Sequence, residues 1–108
     1  MPSLRFFGSL PSLLAVLVLT GPVFGCAGAP VQEMSNARQA VRAAERAGAV
    51  TYAPAELEEA RRLLTEARTN LNRGDYRAAR DGAEQSREKA VAARRLAETA
   101  TASAKPQP

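Results

Sequence analysis

Few side chains in this chain of 108 residues could form or break a bond, and the most telling is its single thiol, Cys26. It stands in Val23-Phe24-Gly25-Cys26, at the end of a short apolar stretch and directly after a small residue. A thiol in that setting accepts a diacylglycerol, and the peptide bond before it is then cut, which makes Cys26 a lipidation site. The chain has no histidine. With the cysteine acylated, the common general base, nucleophile and soft metal ligand are all missing. Glu56, Glu58 and Glu59 cluster at a helix start on differing faces, where compensation of the helix dipole accounts for them. Asp75 suits a helix cap in the same way. No catalytic residue, metal, cofactor or small-molecule substrate is expected, and the chain does not read as an enzyme.

The segment before Cys26 explains how the thiol would be delivered. Arg5 precedes an apolar run from about Pro11 to Leu19, and Gly21-Pro22 breaks it. That is the layout of a bacterial lipoprotein signal peptide over residues 1–25. Val23 and Gly25-Cys26 fit its processing box, while Phe24 stands where a small residue is usual. An uncleaved membrane span would need about 20 predominantly apolar residues, but Gly8, Ser9, Pro11, Ser12, Gly21 and Pro22 interrupt this one. Ordinary secretory cleavage near Ala27 is the other alternative. Ala27 lacks the acidic character that retains sorted lipoproteins at the inner membrane, so the expected location is the periplasmic face of the outer membrane. Several acyl chains on one cysteine give firm attachment where a single chain is marginal. Residues 26–30, the lipidated cysteine with Ala27, Gly28, Ala29 and Pro30, read as a short flexible leash.

The elements that must present this anchored module are helical. Ala, Arg, Glu and Leu dominate, and no alternating strand pattern persists. A first helix is expected from about Val31 to Ala47, ending at Gly48 in the left-handed position past a helix end. Its seam is Met34, Ala37, Val41 and Ala44. A second begins at Pro54, whose missing N–H costs nothing in a first turn, with Leu57, Ala60, Leu64, Ala67 and Leu71 as its seam. Gly74 closes it and Asp75 caps a third helix, whose seam is Tyr76, Ala79, Ala83, Ser86, Ala90, Ala93 and Ala97 and whose end is near Ala102. So short a connection makes these two helices antiparallel. The expected fold is all-α, a small antiparallel helical hairpin or three-helix bundle over residues 31–103. Its packing is coiled-coil-like and rich in alanine, with residues 104–108 as a disordered tail. The third helix outreaches the second by two or three turns. Either the first helix or another molecule must cover that overhang.

The surface offers weaker signals. Arg38, Arg42 and Arg46 recur every four residues as a stripe beside the first seam. They could meet lipid phosphates or acidic wall polymers, although a solvated face also accounts for them. Tyr52, at a turn, is a candidate for a partner-binding surface, since interfaces enrich tyrosine. Arg77 with Asp81, Arg80 with Glu84, and Arg94 with Glu98 stand at the spacing of helical ion pairs. The net charge is +4, but export and the lack of an aromatic stacking platform argue against nucleic acid.

The stretch Ala44-Glu45-Arg46-Ala47-Gly48-Ala49, the Tyr-Ala-Pro-x-Glu-Leu run at Tyr52–Leu57, Ala60-Arg61, Leu64, Ala67, Gly74-Asp75-Tyr76, Ala79, Ala83 and Ala90 resembles a family of small alanine-rich bacterial envelope lipoproteins. That family is known only as a domain of unknown function, and some members carry it ahead of an OmpA-type peptidoglycan-binding domain. The resemblance spans about Val31 to Ala100 and implies an envelope location. It implies no catalytic residues, and cell-wall binding is not carried over because no OmpA-type domain follows here. A slighter likeness to one tetratricopeptide repeat, at Leu64, Gly74-Asp75-Tyr76 and Ala79, reflects shared helix-turn-helix physics, since one repeat cannot bury its own faces.

The expected role is a structural or protein-interaction module of the envelope, held to the membrane by lipid and meeting an envelope protein or a second copy of itself. The alternative is a cell-wall tether similar to the murein lipoprotein. In that protein a terminal lysine is joined to peptidoglycan, whereas Lys105 here is followed by Pro-Gln-Pro.

Overall fold

A computed structural model describes residues 28–104. Residues 1–27 and the last four lie outside them, and with these the signal-peptide, lipidation-site and most of the tail assignments. Four helices follow one another: α1 (Val31–Arg46), α2 (Ala49–Tyr52), α3 (Pro54–Asn72) and α4 (Tyr76–Ala104). The fold is all-α, a three-helix bundle with one extra turn, α2, inserted between its first two long helices. None of the described helices is long and apolar enough to cross a membrane.

Local chemistry sets the breaks where the sequence places them. Gly48 lies at φ 92°, in the left-handed region, so it ends α1 while its carbonyl accepts the Thr51 and Tyr52 N–H groups at 3.0 and 3.1 Å. Those two bonds wind α2, a turn that helical periodicity alone does not signal because it is only 4 residues long. Gly74, at φ 81°, closes α3 differently. Its N–H donates to Leu71 O at 3.0 Å and that of Asp75 to Asn70 O at 2.9 Å, the paired bonds of a Schellman motif. Asp75 then caps α4, its Oδ1 accepting the Ala78 N–H at 3.2 Å. α4 continues through Ala104, slightly beyond the expected end near Ala102 and into the first residue assigned to the tail.

Contacts between helices fix the directions. Ser86 Oγ donates to Ala60 O at 2.7 Å, and Gly82 lies against Ala67 and Leu63, so α3 and α4 run antiparallel. Arg80 pairs with Glu33 near the start of α1, and Arg61 with Glu45 near its end. Thus α1 is parallel to α4 and antiparallel to α3. At a rise of about 1.5 Å per residue, α4 is about 43 Å long and α3 about 28 Å. The nearer part of the overhang is covered by the chain itself, because Ala93 and Ala97 are completely buried in one cluster with Ala49 and Ala53, while residues 102–104 are exposed.

The core consists of Met34, Val41, Leu57, Leu63 and Leu64 among fully buried alanines. All expected seam positions of α1 are buried. Leu63 joins the seam of α3 because that helix packs on two neighbours, which demands a wider apolar stripe than a heptad pair. Tyr76 departs from expectation. It is 40 % exposed, since the first turn of α4 sits at the end of the bundle with no facing layer to receive it. Ser86 is the only buried polar side chain among the described residues. Replacing it by alanine leaves Ala60 O its helical bond and creates no orphan, so Ser86→Ala is expected to cost about 1 kcal/mol. An unchanged denaturation midpoint would show that this hydroxyl does not hold α3 to α4.

The residues after Cys26 also correct an expectation. Gly28 O accepts from Arg80 Nη2 at 3.2 Å, Pro30 is buried, and its carbonyl accepts the Met34 N–H at 3.0 Å. Residues 28–30 are therefore fastened to the bundle rather than forming a flexible leash. A forked guanidinium, with several donors in one plane, can grip Glu33 and this carbonyl together.

Candidate interaction surfaces

The parallel and antiparallel arrangement gives the bundle two unlike ends. At one lie Gly28, the start of α1, the Gly74 turn and the start of α4. At the other lie Gly48, α2, Pro54 and the later turns of α4.

The second end exposes apolar side chains. Val50 is 59 %, Tyr52 45 % and Leu96 48 % accessible. Burying Ala49 and Ala53 against the core leaves Val50 and Tyr52 on the outside of a single turn. A side chain added at Gly48 would meet the Tyr52 ring at 3.4 Å, so the ring lies over that glycine. Tyr52 thus stands where a partner could reach it. Val50 and Leu96 are exposed at the same end, and each is visible in the sequence as a large apolar residue that no seam uses.

The arginine stripe winds gradually around α1, since each step of four residues turns a helix by about 40°. Arg38 is half-buried, and Arg42 and Arg46 are exposed. Arg46 lines a groove with Arg87, Val91 and Arg94 of α4. None of Arg38, Arg42 and Arg46 forms an ion pair among the described residues.

Ion pairing elsewhere follows tertiary neighbours more than chain spacing. Arg94 meets Glu98 at 2.7 Å as expected. Arg77 with Asp81 and Arg80 with Glu84 do not pair, because Arg80 turns to Glu33 at 3.2 Å and solvent competes for the exposed Arg77. On α3, Arg61 reaches Glu45 at 2.9 Å, and Arg62 bridges Glu59 and Glu66. Hydrogen bonds from Arg62 hold the Glu59 carboxyl below its usual range, and the same bonds raise Arg62 further. Arg62 and Glu66 are exposed and Glu59 half-exposed, so the network orders a surface rather than anchoring the fold. The glutamates at the start of α3 are thereby accounted for as ion-pair partners and dipole compensation, and Asp75 as a cap. No group of three metal-ligating side chains occurs among the described residues.

A family model described as a domain of unknown function, DUF4398, matches residues 32–107. No curated protein and no solved structure matches the chain.

Proposed function

The chain belongs to the DUF4398 family, a domain without an assigned activity, and from its own geometry we propose that it is a lipid-anchored helical adaptor of the bacterial envelope. Cys26 carries the lipid, and the far end of the bundle offers an apolar contact to an envelope protein. The observation that supports this most is the exposure of Val50, Tyr52 and Leu96 at the end opposite Gly28, in a bundle whose other large apolar side chains are mostly spent on its core. Interfaces enrich tyrosine, and two exposed aliphatic residues lie at the same end as Tyr52. The alanine after Cys26 supports the periplasmic face of the outer membrane as the location.

Two experiments test it. Cys26→Ser is expected to block lipidation and leave a precursor that keeps its leader. Mature, membrane-bound protein at normal levels would overturn the anchor. A photo-crosslinking residue at position 52 of the full chain, used in intact cells, is expected to capture one defined envelope protein, whereas one at position 66 on the outer face of α3 is not. Adducts with the chain itself, or with muropeptides, would replace the adaptor by self-assembly or by a wall tether respectively.

A further inference from the structure

We infer that the end of the bundle formed by the Gly74 turn rests on the bilayer and contacts anionic phospholipid headgroups, so that the bundle stands upright with Tyr52 directed away from the membrane. This rests on the anchoring of Cys26 proposed above and adds an orientation to it.

Chain geometry carries the first step. Cys26 is two residues before Gly28, and two residues span at most about 7 Å. Gly28 is held by Arg80, which is only four residues into α4 and hence about 6 Å from its start. A lipid on Cys26 is therefore held, through the reach of the Arg80 side chain, beside the first turns of α4 and so at the end of the bundle that carries the Gly74 turn. The opposite end is a full α3 farther off, about 28 Å, beyond what the tether can reach. Buried Pro30 and the Glu33–Arg80 pair hold residues 28–30 against the bundle.

Surface chemistry carries the second. This end presents Val31, 69 % exposed, and Tyr76, 40 % exposed. Arg73 and Arg77 flank Tyr76, both exposed and without an ion pair among the described residues. The Asp75 carboxylate beside them is engaged by the Ala78 N–H, and Asp81 lies a turn higher. An aliphatic residue, an amphipathic ring and two guanidinium groups match the boundary between acyl chains and phosphates. The outer face of α3 matches it less well, because Arg61 and Arg62 there are already paired with Glu58, Glu59 and Glu66.

The absence of tryptophan from the chain makes the test direct. Tyr76→Trp and Tyr52→Trp proteins, full-length and purified in lipidated form, are placed in vesicles of phosphatidylethanolamine and phosphatidylglycerol carrying brominated acyl chains. Bromine quenches indole emission over short distances only. Flotation of the vesicles reports anchoring, circular dichroism reports folding, and quenching reports orientation. The expected result is several-fold stronger quenching at position 76 than at 52, reduced in an Arg73→Gln, Arg77→Gln variant that still floats. Arg80→Gln, which frees Gly28, is expected to narrow the contrast. Equal quenching at both positions, or stronger quenching at 52, in protein that floats would overturn the upright orientation while leaving the anchor intact. Protein that fails to float would overturn the anchor itself, and the orientation with it.

Discussion

Leu64→Asp is expected to leave the chain unfolded at room temperature. Leu64 is 6 % exposed and packs in one cluster with Met34, Val41, Leu57 and the seam alanines. Removing the leucine costs about 3 kcal/mol in lost burial and cavity. The carboxylate adds several more, because it must be either desolvated without a partner or protonated. Against this stands a total stability of only about 4–11 kcal/mol for a domain of this size, and a core with few other large side chains. The helical circular-dichroism signal should collapse and no cooperative melt should remain. Leu64→Met, which conserves volume, is expected to cost less than about 1.5 kcal/mol. Leu96→Asp, on an exposed leucine, should melt close to the parent protein. A Leu64→Asp protein with the parent's melting temperature would mean that this cluster is not the core.

Gly82→Leu is expected to destabilise the bundle by about 3 kcal/mol, while Gly82→Ala changes it little. A Cβ at position 82 would lie 3.2 Å from Ala67 Cβ, 3.5 Å from Ala67 Cα and 3.6 Å from Leu63 O. Two of these are backbone atoms, which cannot swing aside. For alanine, a gain of about 1 kcal/mol in helix propensity offsets a contact that the helices can relieve by a small shift. For leucine no such shift suffices, and α3 and α4 must separate, an overpacking cost of about 1–3 kcal/mol or more. Chemical denaturation of the three proteins checks this. Parent-like stability in the leucine variant would show that the helices are farther apart here than the geometry states.

The closeness at Gly82 has a cause that extends along the whole α4 seam. Ala79, Ala83, Ala90, Ala93 and Ala97 are all fully buried, yet each removes little area from water. Their contribution comes from letting backbones approach, which multiplies dispersion contacts between α3 and α4 and brings Ser86 within reach of a carbonyl on the other helix. The same thinness of side chain leaves Val50, Tyr52 and Leu96 without a core to enter. A bundle built this way has apolar residues to spare at its ends.

How much of this was legible in the residues depends on the range of the interaction concerned. Gly48, Pro54, Gly74 and Asp75 act on their immediate neighbours, through a positive φ, a missing N–H and a carboxylate within three residues of its donor. Their roles therefore follow from sequence alone, and so do the seams of α1, α3 and most of α4, since a helical period of 3.6 dictates which residues share a face. The reading of Cys26 as a lipid acceptor is likewise local, resting on the residues around it, and its test lies in the cell. Leu63, Tyr76 and the turn α2 were not legible, because they depend on how many neighbours a helix has and where the bundle stops.

The parallel course of α1 and α4, the grip of Arg80 on Glu33 and Gly28, and the placing of exposed apolar residues at the two ends belong to the tertiary structure. Arg80 has an acidic residue four positions away in its own helix and still pairs with one 47 positions away. A side chain's partner is set by which helix faces it. Helix periodicity specifies faces, and only packing specifies which faces meet.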